Sequence, residues 1–527
     1  MAIDMKINVS DLWLRTAAVL ILGISPLLHG QSGPSWPFAG QNLSNTRFAP
    51  SETQLSPATV SGLGVKWIFT TGGDVSATPS VDASANVLYV PDWSGHLYKI
   101  DAGTGLPVWT HVMADYGLPA YAISRTTPAL SGNTIVIGTG SSAWNQSSGA
   151  YLLALDTTTG DLIWKVQPDP SAYAMLTSSP IVYNGVVYMG VSSEEESLAR
   201  PTFRGSIQAY SLATGTRLWQ TYTVPSGSTG GAVWSSTPVV DTVRGSLYIT
   251  TGNNYTVPEG VADCEQANLS HPAEIVECQP DEDHFDSVLA LDLSTGTIKW
   301  SRRMQPDDAW NGSCSIAAPA CPNPAGPDYD FGAGANLFTT VVNGTATDIV
   351  GAGQKSGVYW ALNPDNGDII WQRPVGPGGS TGGIEWGAAT DGQQIYVAIS
   401  NTNRSPYFLN PSGMKWNGGS WAALAAPTGA IKWQVPDQGK STVQPRQPAL
   451  DLGPVTVANG VVYAPSMSGF VYALDAASGA TLWSYDTGAS VNAGAAVVNG
   501  TVYWGSGYNR SGLGTPGHLL FAFSLTH

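Results

Sequence analysis

Charged residues are scarce in this sequence, so the few that lie between its apolar segments stand out as candidates for chemistry. Lys and Arg number 22 and Asp and Glu 38, which makes 11% of the 527 residues charged, against about 25% in an ordinary soluble domain. Carboxylates ligate hard divalent cations and serve as general bases, and a guanidinium pairs with carboxylates bidentately. Scarcity alone makes each of these carboxylates, lysines and arginines a candidate.

The overall composition restricts the fold that must position these residues. The chain contains 61 Gly, 36 Pro, 19 Trp, 21 Tyr and 11 Phe. Disordered chains are poor in aromatic residues, and long-helix proteins are poor in Gly and Pro, so both classes are excluded. The composition predicts a turn-rich all-β chain with a large core. The net charge of −16 argues against a nucleic-acid partner, whose phosphates would be repelled.

The N-terminus predicts an export signal. Lys6 and Arg15 precede an apolar stretch of 13 residues from Thr16 to Leu28, which is too short to span a bilayer. We therefore expect a signal peptide at 1–30 and one mature domain at 31–527, in a periplasmic or secreted protein. A retained anchor is the alternative, and after signal removal no stable membrane span is expected.

Four cysteines agree with export. Cys264 and Cys278 lie in one insertion and Cys314 and Cys321 in another. Neither pair has zinc-ribbon spacing, and both lie in loop-like sequence, so disulfides are favoured over a metal site. Of the three possible pairings, proximity favours Cys264–Cys278 and Cys314–Cys321. No C-x-x-C-H motif occurs, which excludes a c-type haem.

A repeated pattern organises the chain. An apolar strand followed by D-x-x-T-G-x-x-x-W recurs seven times, and some copies lack the Asp. Each copy is typical of a hairpin, with a second strand that ends on Trp. Further strand pairs lie between the copies, and four strands per repeat make a propeller blade. The copies end at Trp109, Trp164, Trp219, Trp300, Trp371, Trp433 and Trp483.

The two ends of the chain complete the ring. The segment GVKWIF around Trp67 matches the second half of the motif, and HLLFAFSL near the C-terminus matches the first half. The sequence therefore predicts an all-β, eight-bladed β-propeller of four-stranded blades, closed by the N- and C-terminal strands in one shared blade. The repeat tryptophans are interpreted as blade-packing residues. Their spacing grows from about 42 to about 81 residues, which places long insertions in the fourth and fifth blades.

This repeat, in an exported eight-bladed chain, resembles the PQQ-dependent (quinoprotein) alcohol dehydrogenases, and most of all their polyvinyl alcohol dehydrogenase-like branch. The resemblance runs from WPFAGQNLSNTRFAP, at Trp36 to Pro50, to the C-terminal strand. It implies PQQ and a divalent cation as cofactors, and oxidation of an alcohol such as a secondary alcohol, a polyol or polyvinyl alcohol. Propeller scaffolds without enzymatic activity share the repeat and form the alternative.

The resemblance also implies a metal site. In the family, a glutamate and an asparagine bind a cation that touches the PQQ orthoquinone. The segment TSSPIVYNGVVYMGVSSEEE places the glutamate at Glu195, with Glu194 and Glu196 as close competitors, and LYITTGNNY places the asparagine at Asn253. Such hard oxygen ligands suit Ca²⁺.

The catalytic base of the family is an aspartate near this metal. In GPDYDFGAGANL the base aligns with Asp328 or Asp330, and we slightly favour Asp328, which is then also a metal ligand. Asp307 and Asp308 are weaker candidates. In the family an Asp two residues after the base marks lanthanide users, and Asp330 would occupy that place. Ca²⁺ is thus the default cation, with a lanthanide as the alternative.

The remaining residues implied by the resemblance surround PQQ. An arginine binds a PQQ carboxylate, a threonine hydrogen-bonds another, a tryptophan stacks on the flat cofactor, a basic residue lies beside the quinone oxygens, and a Glu-Trp pair lines the pocket. These are Arg125, Thr177, Trp234, Lys355, Glu385 and Trp386, in that order. The vicinal Cys-Cys pair of many members is missing, because Pro119 and Ala120 stand in its place.

The mechanism implied is metal-assisted hydride transfer. The aspartate takes the hydroxyl proton, hydride passes to PQQ, and Lys355 stabilises charge on the quinone oxygen. Because the chain has no haem domain, electrons are expected to leave to an external acceptor such as a cytochrome c. Two rival classes are a propeller that binds protein partners without a cofactor and a glycoside-active propeller with paired carboxylates.

Overall fold

The computed structural model describes Met1 and residues 35–526 except 142–148, 236, 259 and 272–277. Apart from Met1, the signal peptide expected at 1–30 lies outside the described residues. Within them, eight antiparallel sheets of four strands follow one another along the chain. Among the described helices, none is both long and apolar enough to cross a membrane.

The first four blades contain long strands in their middle positions and short first strands. Blade 1 consists of Ser80–Asp82, Val87–Pro91, His96–Asp101 and Pro107–Val112. Blade 2 consists of Ala129–Ser131, Thr134–Gly138, Leu152–Asp156 and Leu162–Val166. Blade 3 consists of Ile181–Tyr183, Val186–Ser193, Ser206–Ser211 and Arg217–Tyr222. Blade 4 consists of Val239–Asp241, Ser246–Thr250, Ser287–Asp292 and Ile298–Arg303.

The second half of the ring also consists of four-stranded blades and closes the ring, although the first strand of blade 5 is long. Blade 5 consists of Asn336–Val342, Thr345–Gly353, Val358–Leu362 and Ile369–Pro374. Blade 6 consists of Ala389–Thr390, Gln394–Ile399, Ser420–Ala425 and Ile431–Pro436. Blade 7 consists of Thr456–Ala458, Val461–Pro465, Phe470–Asp475 and Thr481–Asp486. Blade 8 combines C-terminal Ala496–Val498, Thr501–Gly505 and Leu519–Leu525 with N-terminal Leu63–Thr70, so the predicted closure is confirmed.

Short elements complete the description. Among the described residues, an α-helix spans Val261–Ala267, and 3₁₀ turns span Val60–Gly62, Met113–Tyr116, Glu194–Ser197 and Cys314–Ile316. Short paired strands are Ala122–Ile123 with Gly140–Ser141, Thr229–Gly230 with Asn254–Thr256, and Tyr407–Phe408 with Lys415–Trp416. Phe48–Ala49 joins blade 7 and Ala174–Met175 joins blade 3.

The repeat motif joins each blade to the next, as blade 7 shows. The Asp475 carboxylate accepts hydrogen bonds from the main-chain N–H groups of Ala477 and Ser478, at 2.9 and 2.8 Å. Gly479, at φ +74°, allows the indole of Trp433 from blade 6 to lie so close that a Cβ would be 2.6 Å from the ring. The Trp433 Nε1–H donates to the Ala476 carbonyl at 2.9 Å. The Asp, Gly and Trp of the motif therefore serve turn formation and blade packing.

All eight repeat tryptophans make this bond to a neighbouring blade, which confirms their structural interpretation. The donor–acceptor pairs are Trp67–Ala102, Trp109–Thr157, Trp164–Leu212, Trp219–Leu293, Trp300–Pro364, Trp371–Ala426, Trp433–Ala476 and Trp483–Leu63.

Residues 36–49, here called the axial segment, run beside the first strands of most blades. Main-chain N–H and carbonyl groups along this segment form hydrogen bonds to six blades in ring order. The segment therefore circles the propeller axis. The contacts are Trp36 with Val81 of blade 1, Pro37 with Leu130 of blade 2, Leu43 with Val240 of blade 4, Ser44 with Leu337 of blade 5, Thr46 with Thr390 of blade 6 and Arg47 with Val457 of blade 7.

The two cysteine-containing insertions lie next to each other along the chain. The loop 251–286 inside blade 4 contains the Cys264–Cys278 disulfide, and the connection 304–335 contains the Cys314–Cys321 disulfide. Both pairings are confirmed. The second insertion precedes the first strand of blade 5 rather than interrupting that blade, because Ile298–Arg303 ends blade 4 and Asn336–Val342 begins blade 5.

Candidate active site

A cavity of about 390 Å³ lies at one end of the propeller axis, because its walls come from blades 2 to 8. Within a blade the first and second strands are antiparallel, so the start of the first and the end of the second lie at the same end of the ring. Residues just before first strands and just after second strands therefore converge there. The former include Arg125, Thr177, Trp234, Asp328, Asp330, Glu385 and Trp386, and the latter include Glu196 and Lys355.

Lys355 bridges the two aspartates of the cavity wall. Its Nζ lies 2.8 Å from Asp328 Oδ1 and 3.2 Å from Asp330 Oδ2. Burial alone would lower the pKa of Lys355, but Asp328, Asp330 and Glu196 hold it well above its usual value, so Lys355 is a cation. Burial raises the pKa of Asp328 well above its usual range, and the charge of Lys355 only partly opposes this. Asp328 is therefore a stronger proton acceptor than an exposed aspartate.

Asp330 is fixed by more donors than Asp328. Its Oδ1 accepts the main-chain N–H of Asn253 at 2.8 Å, and its Oδ2 accepts the Trp234 Nε1–H at 2.8 Å. The Asn253 Nδ2 donates to the carbonyls of Asn254 and Trp310, at 2.9 and 2.8 Å. These two bonds orient the amide and leave the side-chain oxygen as acceptor. Asn253 is not among the residues that line the cavity, and it is tied to the wall through Asp330.

Asp308 holds the main chain of the loop that carries both aspartates. Its two carboxylate oxygens accept the N–H groups of Asp328 at 2.9 Å and of Tyr329 at 2.6 Å. These bonds stabilise Asp328 in the left-handed region, at φ +58°. Burial raises the pKa of Asp308 to about 6. Asp308 is thus a positioning residue, and Asp307 is not part of the cavity wall.

The three consecutive glutamates point in different directions, because they form the 3₁₀ turn Glu194–Ser197 with about three residues per turn. The Glu195 carboxylate accepts the Ser171 hydroxyl at 2.5 Å and the main-chain N–H groups of Thr202 and Phe203 at 2.5 and 2.8 Å. It is not part of the cavity wall. The structure therefore does not bring the expected Glu195 to the site.

Its neighbours Glu194 and Glu196 do line the cavity. Burial raises the pKa of Glu196 to about 8, and the charge of Asp330 adds to this effect. Glu194 forms an ion pair with Arg510, on the loop that follows the second strand of blade 8. Glu196 is thus the glutamate that faces the aspartates.

Arg125 lies among aromatic rings. Its guanidinium carbon is 5.0 Å from the ring centre of Trp93 and 5.5 Å from that of Trp386, and its Nη2 is 3.5 Å from the Tyr508 hydroxyl. In the part of the chain that the structure describes, Arg125 has no carboxylate in ion-pair contact. Burial lowers the pKa of Arg125 to about 10, so it stays charged at neutral pH and available to an anionic ligand.

The other expected cofactor residues also line the cavity. Trp234 and Trp386 meet edge to face with ring centres 5.2 Å apart. Glu385 is buried with one oxygen lacking a described partner, and burial raises its pKa to about 8. The Thr177 hydroxyl donates to the Trp234 carbonyl at 2.7 Å, so its proton is not available to a ligand carboxylate.

The cavity carries more negative than positive charge when all its ionisable groups are charged. Its described walls contain five carboxyl groups and three cationic side chains. Burial raises the pKa of Glu196 and of Glu385 to about 8, so each keeps its proton near neutral pH unless a cation takes the proton's place. A divalent cation would balance the difference, and Glu196, Asp330 and Asn253 offer it the oxygen donors that such ions prefer. The residues present therefore fit a bound divalent cation.

Several residues of the cavity wall, and Trp93 beside it, were not singled out from the sequence. Trp93 lies in PDWSG, which reads as an ordinary hairpin turn, and Tyr508 and Arg510 lie in a polar loop near the C-terminus. Trp93, Trp386, Leu452, Tyr508 and Leu513 belong to one apolar cluster beside the cavity. This cluster offers an apolar wall to a flat ligand. It can serve where the chain lacks the vicinal Cys-Cys pair of many family members.

Comparison with known proteins agrees with this geometry. The family model described as PQQ: Glucose/ethanol/alcohol dehydrogenase, beta-propeller domain matches residues 36–391. The model described as Outer membrane protein assembly factor BamB matches residues 417–513, which hold blade 7 and parts of blades 6 and 8. The polyvinylalcohol dehydrogenase of a Pseudomonas species is 29% identical over 99% of this chain and 82% of its own length.

Solved structures show the same fold. The quinohemoprotein alcohol dehydrogenase ADHIIG from Pseudomonas putida HK5 has a TM-score of 0.69 and 19% identity, with 93% of this chain and 80% of that chain covered. A europium-containing methanol dehydrogenase has a TM-score of 0.67 and 18% identity, with 93% and 98% covered. With the family model matching more than half of the residues, the chain belongs to the family of PQQ-dependent alcohol dehydrogenases.

Proposed function

We propose that the cavity binds PQQ together with a divalent or lanthanide cation and oxidises a secondary alcohol or polyol to a carbonyl compound. The observation that carries this proposal is the charge arrangement of the walls. A surplus of carboxyl groups at Glu196, Asp328 and Asp330 lies in the same cavity as Arg125, a guanidinium without an ion-pair partner among the described residues. A bound cation would neutralise the surplus carboxyl groups, and an anionic cofactor would pair with Arg125.

The cation site consists of Glu196, Asn253 and Asp330 in this proposal. Asn253 and Asp330 are joined by a 2.8 Å hydrogen bond, and the charge of Asp330 acts on Glu196. Glu196 replaces Glu195, whose carboxylate is already bonded to Ser171, Thr202 and Phe203. Ca²⁺ is the default occupant, and the additional carboxylate of Asp330 makes a lanthanide the alternative.

Arg125, Trp234, Lys355, Glu385 and Trp386 would hold PQQ. Arg125 supplies a planar cation for a carboxylate, and the two indoles with the neighbouring apolar cluster supply flat apolar surfaces. Thr177 supports this wall by holding the Trp234 carbonyl.

Asp328 is the proposed general base. When bound, PQQ supplies an orthoquinone that accepts hydride from the carbinol carbon while the cation polarises it. Asp328 accepts the hydroxyl proton, for which its raised pKa is suited. Its single described bond, from Lys355, leaves the second carboxylate oxygen for the alcohol. Lys355 remains cationic and stabilises negative charge that develops beside it.

The wider biochemical setting follows from the same family. The similarity to a polyvinylalcohol dehydrogenase makes polyvinyl alcohol a substrate to test beside small secondary alcohols and polyols. We propose an external electron acceptor such as a cytochrome c, and a periplasmic or secreted location after removal of residues 1–30.

The test is reconstitution of the purified chain with PQQ and either Ca²⁺ or La³⁺. Alcohol-dependent dye reduction is measured with secondary alcohols and with polyvinyl alcohol. We expect activity that needs PQQ and a cation and is lost in Glu196→Gln. The exposed Glu282→Gln is the matched control and should keep full activity. Equal dye reduction without PQQ, or an unaffected Glu196→Gln enzyme, would refute the proposal.

A further inference from the structure

A second, smaller cavity of about 40 Å³ lies between the axial segment and the main cavity. The axial segment contributes Ala39 and Arg47 to its walls, and Arg125, Thr177 and Trp386 belong to the walls of both cavities. A water molecule needs about 10–15 Å³ of such space. The smaller cavity is therefore large enough for one small ion with a water or two, and too small for a cofactor.

Arg47 is the buried cation of this smaller cavity. Its side chain is 5% exposed, and its Nε and Nη1 have no hydrogen-bond partner in the structure described. Its Nη2 lies 3.4 Å from the Trp386 carbonyl. The guanidinium is tightly enclosed, since a Cβ at Gly387 would lie 2.5 Å from Nε and one at Gly494 would lie 3.0 Å from Nη1. Burial lowers the pKa of Arg47 to about 10, so it remains charged at neutral pH.

Arg125 brings a second guanidinium to the same wall, and its Nε is also buried without a described partner. Among the described residues that line the smaller cavity there is no carboxylate. A buried charge without a counter-charge is costly. Two such charges beside one enclosed space create a strong local preference for an anion.

Hydroxyl groups in the wall add neutral donors. The Ser179 hydroxyl oxygen accepts the Thr127 main-chain N–H at 3.0 Å, and the Ser76 hydroxyl oxygen accepts the Trp93 Nε1–H at 2.9 Å. Because each oxygen acts as acceptor in its bond, the hydroxyl proton is left to donate. Arg47, Arg125 and these hydroxyl groups supply donors to the cavity, and Asn492, whose Oδ1 is buried without a described partner, adds one acceptor to the wall.

We propose that the smaller cavity is a binding site for a small monovalent inorganic anion of the size of chloride, held by the guanidinium groups of Arg47 and Arg125 and by the hydroxyl groups of Ser76 and Ser179. The site shares Arg125 with the proposed PQQ site, whereas Arg47, Ser76 and Ser179 line the smaller cavity alone, so chloride binding is measurable without PQQ. The anion neutralises part of the buried charge between the axial segment and the active-site wall. It therefore stabilises the folded protein.

The test uses the full chain with bromide and chloride as probes. Crystals soaked in bromide should give an anomalous peak within hydrogen-bond distance of the Arg47 guanidinium. In solution, chloride should shift the urea midpoint of unfolding upward and saturably, relative to gluconate at equal ionic strength. Both results are required. Absence of the peak, or equal midpoints in chloride and gluconate, overturns the proposal.

Two variants test whether the chloride-dependent shift of the urea midpoint arises at the smaller cavity. Ser179→Ala keeps both arginines, so we expect it to fold and to need at least about threefold more chloride for half of the shift. The control Arg446→Gln removes an exposed arginine elsewhere and should keep the full shift. Loss of the chloride shift in Arg446→Gln, or an unchanged chloride requirement in Ser179→Ala, counts against the assigned site.

Discussion

Neighbouring residues Glu195 and Glu196 should respond to the same substitution in opposite ways. The Glu195 carboxylate accepts hydrogen bonds from Ser171, Thr202 and Phe203. Hydrogen bonds to a charged group contribute about 1.5–3 kcal/mol and those to a neutral group about 0.5–1.5 kcal/mol. Glu195→Gln keeps an oxygen for the two N–H groups and can donate to Ser171, so it loses charge rather than shape. The free energy of unfolding should fall by about 2–3 kcal/mol.

Glu196→Gln should not destabilise the protein. Because the pKa of Glu196 is raised to about 8 by burial, the folded state holds a proton that the unfolded chain loses above the usual glutamate pKa of about 4.3. The native carboxyl therefore costs stability as the pH rises toward 8, and glutamine removes that cost. The same variant should need at least about 100-fold more Ca²⁺ for PQQ binding, equivalent to about 2.8 kcal/mol.

Two measurements on each variant test which of the two glutamates binds the cation and which one stabilises the fold. Urea unfolding followed by tryptophan fluorescence at pH 8 gives stability, and Ca²⁺ titration of PQQ binding gives cation affinity. The expected pattern is lower stability with near-normal cation affinity in Glu195→Gln and the reverse in Glu196→Gln. If Glu195→Gln instead loses cation affinity at unchanged stability, the assignment of the two carboxylates is wrong.

Three further predictions concern the blades and the site. Gly479→Ala places a Cβ 2.6 Å from the Trp433 ring, whereas Gly488→Ala, at a similar φ, meets no atom within 4 Å, so urea unfolding should show Gly479→Ala to be about 2 kcal/mol less stable than Gly488→Ala. Asp451 is fully buried and burial raises its pKa well above the usual range. From about pH 4 upward its proton is held only by the folded state, so stability falls by up to about 1.4 kcal/mol per pH unit, and unfolding of Asp451→Asn between pH 5 and 7 should lack this slope. Lys355→Met should lower kcat at least about 100-fold with an unchanged circular dichroism spectrum, and near-normal kcat would contradict its role.

The blades could be predicted because their signals are local. Each D-x-x-T-G-x-x-x-W copy is itself a hairpin, and the donors, acceptors and glycine that join blades lie within the motif, as Trp433, Ala476 and Gly479 show. Ring closure could be predicted because the two half-motifs at the chain ends are complementary.

The site could be predicted only to the level of its segments. Which glutamate of the 3₁₀ turn faces the cavity depends on Ser171 and Thr202, both outside the run. Asp308 positions Asp328 across 20 residues of an insertion, and nothing in the spacing of PDDAWN indicates that bond. Arg47 lies in the axial segment, whose course around the ring depends on contacts with most blades.

The most direct test of the proposed site is an equilibrium titration of the purified chain with PQQ, with and without Ca²⁺. Trp234 and Trp386 line the cavity, so bound PQQ should quench tryptophan fluorescence. The geometry predicts quenching that saturates at one PQQ per chain, requires the cation and is weakened at least tenfold in Arg125→Met. Quenching that is absent, or that is equally strong without a cation and in Arg125→Met, would contradict the placement of cation and cofactor in this cavity.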